Sequence, residues 1–192
     1  MFLIEIGAND GIIASKTRKL ITTKKWKGIL IEPVPYYFAK LQQNYKGYDD
    51  LILLNIAISQ KESTNTIYKI DPSYLPPNHY GHGVSSFNRK HAGIIRLEKE
   101  FGTKAVLSDK VQVYPISKII KEHNVKKIDL MVIDTEGHDF NVIKSIDFDH
   151  IRPTTLIYEN KHLHTKNAVC EKYLRDKGYK IKRGRNDTIC KL

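Results

Sequence analysis

The sequence has little of what marks a secreted or membrane-spanning protein. Its two cysteines, Cys170 and Cys190, provide neither a disulfide framework nor the spacing of metal ligands. No apolar run approaches the roughly 18 residues that a membrane helix needs, and the first residues show no basic segment or cleavage site of a signal peptide. We therefore expect no membrane span and a reducing, cytoplasmic setting.

The charge balance is strongly basic. The chain of 192 residues carries 32 Lys and Arg against 21 Asp and Glu, a formal net charge of +11. Such a balance is typical of proteins that bind a polyanion, nucleic acid above all. Here the cations are mostly lysines, scattered along the chain without an arginine-rich block, so nucleic-acid binding is the less favoured interpretation. The length fits one domain, residues 1–192, with a sizeable core.

The most informative stretch is the apolar run 2–6 and the small residues that follow it, Gly7 to Gly11. It predicts a buried parallel strand that enters a glycine-rich turn and then a helix. In open α/β sheets, ligands bind beyond the carboxyl ends of the strands. Asn9 stands where a dinucleotide fingerprint has a glycine that lets the backbone close on a pyrophosphate. The turn therefore predicts a nucleoside ligand without a pyrophosphate.

A helix is expected directly after this turn, because apolar residues recur there at roughly helical spacing. These residues are Ile12, Ile13, Leu20 and Ile21. The next apolar run, residues 28–31, predicts a second buried strand that Glu32 and Pro33 end. Glu32 lies about 20 residues past the turn, where an acidic residue in such folds commonly accepts hydrogen bonds from ribose hydroxyls. We therefore interpret Glu5 and Glu32 as cofactor ligands and not as two solvated strand ends.

Residues 51–58 predict a third buried strand, which Asn55 interrupts. Asn55 has two interpretations that the sequence leaves open: it bonds the neighbouring turn, or it reaches the adenine edge of a nucleoside. Three strand–helix units in succession predict an α/β fold, with a parallel sheet and right-handed crossovers.

Residues 59–108 break this pattern and predict an insert on the substrate side of the domain. Within it, residues 71–86 are rich in Pro, Gly, His and Tyr and are too many for a plain connection. We expect a functional or mobile loop there, followed by a helix over 89–101. We interpret this insert as a lid over the substrate site, with four residues whose side chains are candidates for contacts or chemistry there. The alternative for its histidines is that they are simply solvated, as a lone loop histidine usually is. The four residues are His79, His82, Ser85 and Ser86.

A second informative motif follows the apolar run 128–133, where Asp134 and Glu136 stand at the end of a predicted strand. Because parallel strands end at one edge of the sheet, we expect these carboxylates on the rim of the ligand cleft. The next predicted strand, residues 154–158, ends in Glu159 at the same edge. The chain then closes on a predicted helix and a hairpin.

Four motifs together resemble the FkbM-type methyltransferases. They are Glu-x-Gly-Ala-Asn-Asp-Gly at 5–11, Ile-Glu-Pro at 31–33, Asn-Ile-Ala at 55–57 and Ile-Asp-Thr-Glu-Gly-His-Asp at 133–139. The resemblance runs along nearly the whole chain. It implies a class I methyltransferase fold of Rossmann-like type, with a doubly wound, mostly parallel seven-stranded sheet and an antiparallel C-terminal hairpin. It also implies S-adenosylmethionine as the cofactor and O-methylation of a sugar, a glycan or a small metabolite.

The resemblance also assigns roles to residues. Those implied for cofactor binding are Glu5, Gly7, Ala8, Asn9, Asp10, Gly11, Glu32, Pro33, Asn55, Ile56, Ala57 and Asp134. The candidates for catalysis are Asp134, nearest the methyl group, and its rivals Glu136 and His138. The candidates for substrate contacts are His82, Ser85, Ser86 and Glu159.

A metal ion is a further option at the predicted rim. Asp134, Glu159 and Asn160 stand at the ends of neighbouring predicted strands, and Mg²⁺ accepts such oxygen ligands. The ion would lower the pKa of the acceptor hydroxyl. The alternative is that Glu159 binds the substrate or a nearby amide.

Two other function classes stay open. One is an RNA methyltransferase, for which the charge is the only argument, and the other is a non-catalytic nucleoside-binding protein of the same fold. Such folds usually carry helical material before the first strand, whereas this chain starts almost directly on it. This start would leave an apolar edge for a second subunit to cover, so a homodimer also stays open.

Overall fold

A central seven-stranded sheet positions the predicted site. The computed structural model describes residues 1–13 and 15–192. Its strands are β1 (Phe2–Ile6), β2 (Lys27–Ile31), β3 (Leu51–Leu54), β4 (Ala57–Ile58), β5 (Ser63–Ile70), β6 (Ser85–Ser86), β7 (Val106–Tyr114), β8 (Leu130–Ile133), β9 (Thr155–Glu159), β10 (Lys180–Arg183) and β11 (Asp187–Lys191). Its helices are α1 (Arg18–Lys24), α2 (Pro35–Asn44), α3 (Ala92–Phe101), α4 (Ile116–Glu122), α5 (Asp139–Ile143) and α6 (Lys166–Asp176).

The strand order of the central sheet is β10–β11–β9–β8–β1–β2–β3. The neighbours from β9 to β3 pair in parallel, whereas β11 runs antiparallel to both β9 and β10. In the central pair, Ile4 lies opposite Ile29 and Ile6 opposite Ile31, so β1 and β2 end at the same edge. The predicted seven-stranded, mostly parallel sheet with an antiparallel C-terminal hairpin is confirmed.

Helices cover both faces of this sheet. Successive strand residues point to opposite faces, and the buried core divides accordingly. Ile4 and Ile29 pack with residues of α4, α5 and α6, whereas Leu3 and Leu30 pack with residues of α1 and α2. This is the predicted doubly wound arrangement. None of the helices in the described part of the chain has the length and apolar character of a bilayer span.

A second sheet of four strands, in the order β4–β7–β5–β6, is built mainly from the long antiparallel pair β5–β7. The prediction of one strand over residues 51–58 is therefore wrong, because β3 ends at Leu54 and β4 leaves the central sheet to pair with β7. Asn55 lies at this break. Its side-chain amide donates to the carbonyls of Glu32 and Pro33 (2.8 and 3.1 Å) and holds the chain where it departs.

The first helix begins later than predicted, at Arg18 and not directly after the turn. The side chain of Asp10 accepts hydrogen bonds from the backbone N–H groups of Ile12 and Ile13 (2.8 Å each), which closes a local turn in place of a helix. The side chains of Ile12 and Ile13 are exposed as a result. Residue 14, which the predicted helix also covered, lies outside the described residues.

Candidate functional site

The carboxyl ends of β1, β2, β8 and β9 open into a cavity of about 700 Å³. We call this strand-end side the floor, and the facing residues between 78 and 96 the roof. The predicted site residues that line the cavity are Glu5, Gly7, Ala8, Asn9, Glu32, Pro33, Ile56, Ala57, His79, His82, Ser85, Ser86, Asp134, Glu136, His138 and Glu159. Those absent from its lining are Asp10, Gly11, Asn55 and Asn160.

The turn after β1 is shaped by the close approach of neighbouring strands. The N–H groups of Gly7 and Ala8 both donate to the carbonyl of Ile31 at the end of β2 (2.9 and 3.0 Å). Gly7 has a φ of +85°, and a Cβ there would lie 1.9 Å from the backbone oxygen of Asp134. Only glycine fits at this point. The turn therefore brings the end of β1 against both of its neighbours.

Glu32, the carboxylate after β2, is held by two backbone donors. The N–H of Asn9 donates to its Oε2 (2.9 Å) and the N–H of Val34 to its Oε1 (2.8 Å). Burial raises the pKa of Glu32 to about 7, although these two hydrogen bonds oppose the shift. Each oxygen keeps a lone pair for one more donor, such as a ribose hydroxyl. The side chain of Asn9 donates to the carbonyl of His82 (2.7 Å) and links floor to roof.

Gly11 and Asn55, both predicted to bind the cofactor, make structural contacts instead of lining the cavity. The carbonyl of Gly11 accepts a hydrogen bond from the Tyr45 hydroxyl (3.0 Å). The side chain of Asn55 is exposed and turned to the backbone after β2. Of its two interpretations, the structure favours the one in which it bonds the neighbouring turn.

Glu5 is the buried carboxylate within β1. Its Oε2 accepts hydrogen bonds from the hydroxyls of Thr17 (2.5 Å) and Ser15 (3.5 Å). Burial raises the pKa of Glu5 to about 7, against the opposing effect of the Thr17 hydrogen bond. A carboxylate in this position favours a cationic group, such as an ammonium, that enters the cavity beside it.

Lys16 is a site residue that the sequence patterns missed. Its ammonium contacts Asp134 Oδ2 (2.9 Å) and Asp187 Oδ1 (3.0 Å), and so joins the end of β8 to the C-terminal hairpin. Burial lowers the pKa of Lys16, but the two carboxylates outweigh burial and raise it. Lys16 therefore stays charged and orients Asp134. Because Asp134 lies 118 residues further along the chain, no local pattern points to this contact.

Asp134, Glu136 and Glu159 form an acidic rim at the floor, since one carboxylate oxygen of each lies within 4.8 Å of the others. Burial raises the pKa of Glu136 to about 7 and that of Glu159 to about 8, and the charge of Asp134 adds to both shifts. Glu159 Oε2 is buried without a hydrogen-bond partner among the described residues. The predicted meeting of carboxylates from neighbouring strand ends is thus observed.

Asn160 lies apart from this rim. Its side-chain amide donates to the carbonyl of Gly184 (3.2 Å) and the hydroxyl of Thr188 (3.0 Å), which fastens the end of β9 to the hairpin. The structure therefore does not bring Asn160 to Asp134 and Glu159 as the predicted magnesium set requires.

His138 lines the cavity with both ring nitrogens engaged. Asn141 donates to its Nδ1 (3.2 Å), so Nε2 carries the proton and donates to the Ser59 hydroxyl (2.9 Å). Burial lowers the pKa of His138 to about 4, and the charges of Lys166 and Lys144 lower it further. A neutral ring with no free acceptor is poorly suited to remove a proton from a substrate.

The roof is fastened through His82. The His82 Nε2–H donates to the carbonyl of Pro76 (3.1 Å), and Nδ1 accepts from the hydroxyl of buried Tyr37 in α2 (3.1 Å). The predicted substrate residues Ser85 and Ser86 form β6, which pairs with β5 at the edge of the second sheet. The structure therefore brings the predicted substrate residues to the cavity on a segment tied to the floor by side chains.

The sequence matches the model of a known protein family. The model of the methyltransferase FkbM domain matches residues 5–181 of this sequence. None of the curated proteins matches the sequence at a significant level.

Among solved structures, the chain is similar to methyltransferase FkbM from Methylobacillus flagellatus KT, with 13% identity and a TM-score of 0.60 over 99% of this chain and 43% of that one. It is also similar to the N-terminal domain of human METTL16, with 13% identity and a TM-score of 0.50 over 98% of this chain and 59% of that one. The chain thus spans less than half of the Methylobacillus structure. Similarity at this level of identity shows the class I methyltransferase fold.

Proposed function

The chain belongs to the FkbM methyltransferase family, and we propose that it transfers a methyl group from S-adenosylmethionine to a hydroxyl group of a sugar, a glycan or a small metabolite. The observation that carries this proposal is the placement of Glu5 in β1, Glu32 directly after β2 and Asp134 directly after β8, three adjacent strands that end around one glycine turn and one cavity. Ligands of doubly wound folds bind at this edge of the sheet.

The floor suits the two polar ends of the proposed cofactor. Glu5 offers a buried carboxylate to the ammonium of the methionine part, and Glu32 offers two oriented oxygens to the ribose hydroxyls. Ile56 and Ala57 supply an apolar wall beside Glu32 for the adenine ring. The cavity of about 700 Å³ lies within the range of about 300–1,000 Å³ that small-molecule sites occupy.

When bound, S-adenosylmethionine supplies a methyl group on a positively charged sulfur. The chain's own contribution is position: well-oriented reactants gain on the order of 7–11 kcal/mol over free ones. Lys16 holds Asp134 at the floor, and we assign to Asp134 the orientation of the acceptor hydroxyl and the acceptance of its proton. Glu136 and Glu159 share the rim with Asp134.

The test is transfer of an isotopically labelled methyl group to a panel of sugars, glycans and small hydroxyl compounds, with RNA as a separate acceptor. Asp134→Ala is expected to lower transfer by about a hundredfold or more, the usual contribution of a positioned base, while S-adenosylhomocysteine still binds. Asp187→Ala is the matched control, because it removes the other carboxylate of Lys16 and leaves Asp134 in place. Full turnover in Asp134→Ala would remove Asp134 from the mechanism, and label in RNA alone would overturn the small-acceptor proposal.

A further inference from the structure

We propose that His91, Glu136 and His162 form a binding site for a divalent transition-metal ion, with Zn²⁺ as the best-suited ion. One ligand atom of each side chain lies within 4.8 Å of the other two. The site goes beyond the proposed methyl transfer and does not depend on it. It also differs from the oxygen-only magnesium set that the sequence suggested, because two of its three donors are imidazole nitrogens.

Three separate elements meet at this cluster. His91 immediately precedes α3 in the roof, Glu136 lies in the turn between β8 and α5, and His162 lies in the loop between β9 and α6. His162 Nε2 is 3.4 Å from Glu136 Oε2, and the rings of His91 and His162 have centroids 5.4 Å apart. Side chains from such distant parts of the sequence share this point because the strand ends converge there.

The backbone of the β8–α5 turn adopts an uncommon shape to bring Glu136 to His162. Glu136 has a φ of +51° and Gly137 a φ of +89°, and a Cβ at Gly137 would lie 3.1 Å from the carbonyl oxygen of His162. A non-glycine residue with positive φ is uncommon and its strain persists only where the surroundings enforce it. The turn therefore presents the Glu136 carboxylate to the histidine at a conformational cost.

The donor set selects the kind of ion. Two imidazoles and one carboxylate form the protein ligands of many catalytic zinc sites and of non-haem iron sites, whereas Mg²⁺ prefers oxygen ligands throughout. Ligands about 2.1 Å from a tetrahedral ion lie about 3.4 Å apart. His162 Nε2 and Glu136 Oε2 already have this separation, and the ligand atom of His91, within 4.8 Å of both, has to move inward by up to about 1.4 Å. Side-chain rotation supplies a movement of this size.

A second observation supports the site. His91 Nδ1 and Glu159 Oε2 are buried polar atoms without a hydrogen-bond partner among the described residues, and such atoms are uncommon in native proteins. Glu159 Oε1 lies 3.9 Å from His162 Nε2, so this carboxylate borders the cluster as a fourth oxygen donor or as a partner of a bound water. A bound ion or its water would offer the Glu159 carboxylate a partner that the described contacts leave Oε2 without.

Because His91 lies in the roof, a bound ion would also connect the roof to the floor side of the cavity. His91 belongs to the roof and the other two ligands belong to the floor side, so a bound ion fastens the start of α3 to the rim. The segment before α3 is already braced by a two-point ion pair between Arg89 and Glu98 (2.9 and 2.6 Å). The ion therefore completes the anchoring of the roof.

The experiment uses the full chain, freed of metal with a chelator and titrated with Zn²⁺, with Co²⁺ as a spectroscopic substitute and with Mg²⁺. We expect one Zn²⁺ per chain, a cobalt spectrum that shows nitrogen ligands, and much weaker Mg²⁺ binding. Removing an outer partner of a ligand typically weakens binding 10–100-fold, so His91→Ala or His162→Ala should lower the Zn²⁺ affinity by at least about a hundredfold. His150→Ala is the control, since His150 is exposed and pairs with Asp147.

Two results would overturn the proposal: no Zn²⁺ binding by the wild-type chain, or unchanged binding in His91→Ala. If His162→Ala fails to fold, His91→Ala decides alone, because it removes a partly exposed side chain at the start of a helix. Equal affinities for Mg²⁺ and Zn²⁺, both unchanged in His91→Ala, would assign the ion to the acidic rim instead. Binding of S-adenosylhomocysteine to the metal-free chain is measured separately, so failure of this site is distinguishable from failure of the proposed function.

Discussion

The floor and the roof of the cavity are built in different ways. At the floor, backbone groups set the positions: the turn after β1 donates to Ile31, and Gly7 lies against the carbonyl of Asp134. At the roof, side chains set them, through Asn9 and Tyr37, which both contact His82. Backbone contacts hold the floor in a fixed shape, whereas a roof fastened by a few side chains can change its contacts through single substitutions.

The two regions also carry the residues that we assign to different ligands. The floor carries the carboxylates that we assign to the cofactor, Glu5 and Glu32, each at or near the end of a central strand. The roof carries Ser85, Ser86 and the start of α3, which line the same cavity and which we assign to the acceptor. Changes at the floor should therefore affect cofactor binding, and changes at the roof should affect the acceptor.

The largest expected effect comes from a pair of glycines, one at the floor and one just after α3, outside the cavity. Gly7 and Gly102 have nearly the same φ, +85° and +86°, but a Cβ at Gly102 would meet nothing within 4 Å. Gly102→Ala should cost about 1–3 kcal/mol of unfolding free energy from backbone strain alone. Gly7→Ala should cost at least about 2 kcal/mol more, because its Cβ overlaps the backbone of Asp134. Denaturant unfolding of both variants measures the difference, and equal losses would refute the close-approach argument.

The second effect is a pH dependence at the floor. The pKa of Glu5 is raised to about 7 by burial, so below that pH the free protein holds a proton that an incoming ammonium must displace. Cofactor affinity should then rise with pH, about tenfold per unit below pH 7, and level off above it. Besides burial, the residues that shift the pKa of the Glu5 carboxyl are Thr17, Lys16 and Asp134. Calorimetric titration with S-adenosylhomocysteine across this range measures the slope.

Glu5→Gln is the variant that sharpens this test. It keeps an acceptor for the Thr17 hydroxyl and removes the titrating group, so binding should be weaker above pH 7 and the slope should disappear. Glu32 also has a pKa raised to about 7, but its neutral form still accepts a hydrogen bond from a hydroxyl. A slope that survives in Glu5→Gln would assign the proton to Glu32.

The smallest expected effect comes from removing the hydroxyl of either of two buried tyrosines, Tyr37 or Tyr45. The Tyr37 hydroxyl donates to the roof at His82 and the Tyr45 hydroxyl to the floor at Gly11. Each Tyr→Phe change should cost about 1 kcal/mol, the net value of one hydrogen bond. Amide hydrogen exchange should separate them: Tyr37→Phe should speed exchange at the roof amides of His82 and Val84, and Tyr45→Phe should not. Equal exchange in both variants would mean that His82 does not fasten the roof.

The sequence predicted the central sheet well because its strands are short apolar runs that end in turn residues, a local signal. It also predicted the meeting of Asp134 with Glu159, since parallel strands end at one edge. The second sheet was missed because the pairing of β5 with β7 joins residues some forty positions apart, such as Ile67 and Asp109. The late start of α1 was missed because one side chain, Asp10, captures two N–H groups that a helix would have used.

The contacts of Lys16, His91 and His162 could not be predicted for the same reason. Each depends on partners that only the folded chain brings near, and a lone lysine or histidine has no pattern of its own. Asn55 is the converse case, since its sequence context fitted two interpretations and the observed contacts with Glu32 and Pro33 favour one.

The most direct test of the floor as a cofactor site is thermal unfolding with S-adenosylhomocysteine, with NAD as the control. A ligand at about a hundred times its dissociation constant stabilises the folded state by roughly 2.7 kcal/mol. For a chain of 192 residues, this corresponds to a rise in Tm on the order of 5–10 °C. We predict that rise with S-adenosylhomocysteine and none with NAD. No shift with S-adenosylhomocysteine, or an equal shift with both compounds, would contradict the assignment of Glu5, Glu32 and the Gly7 turn to the cofactor.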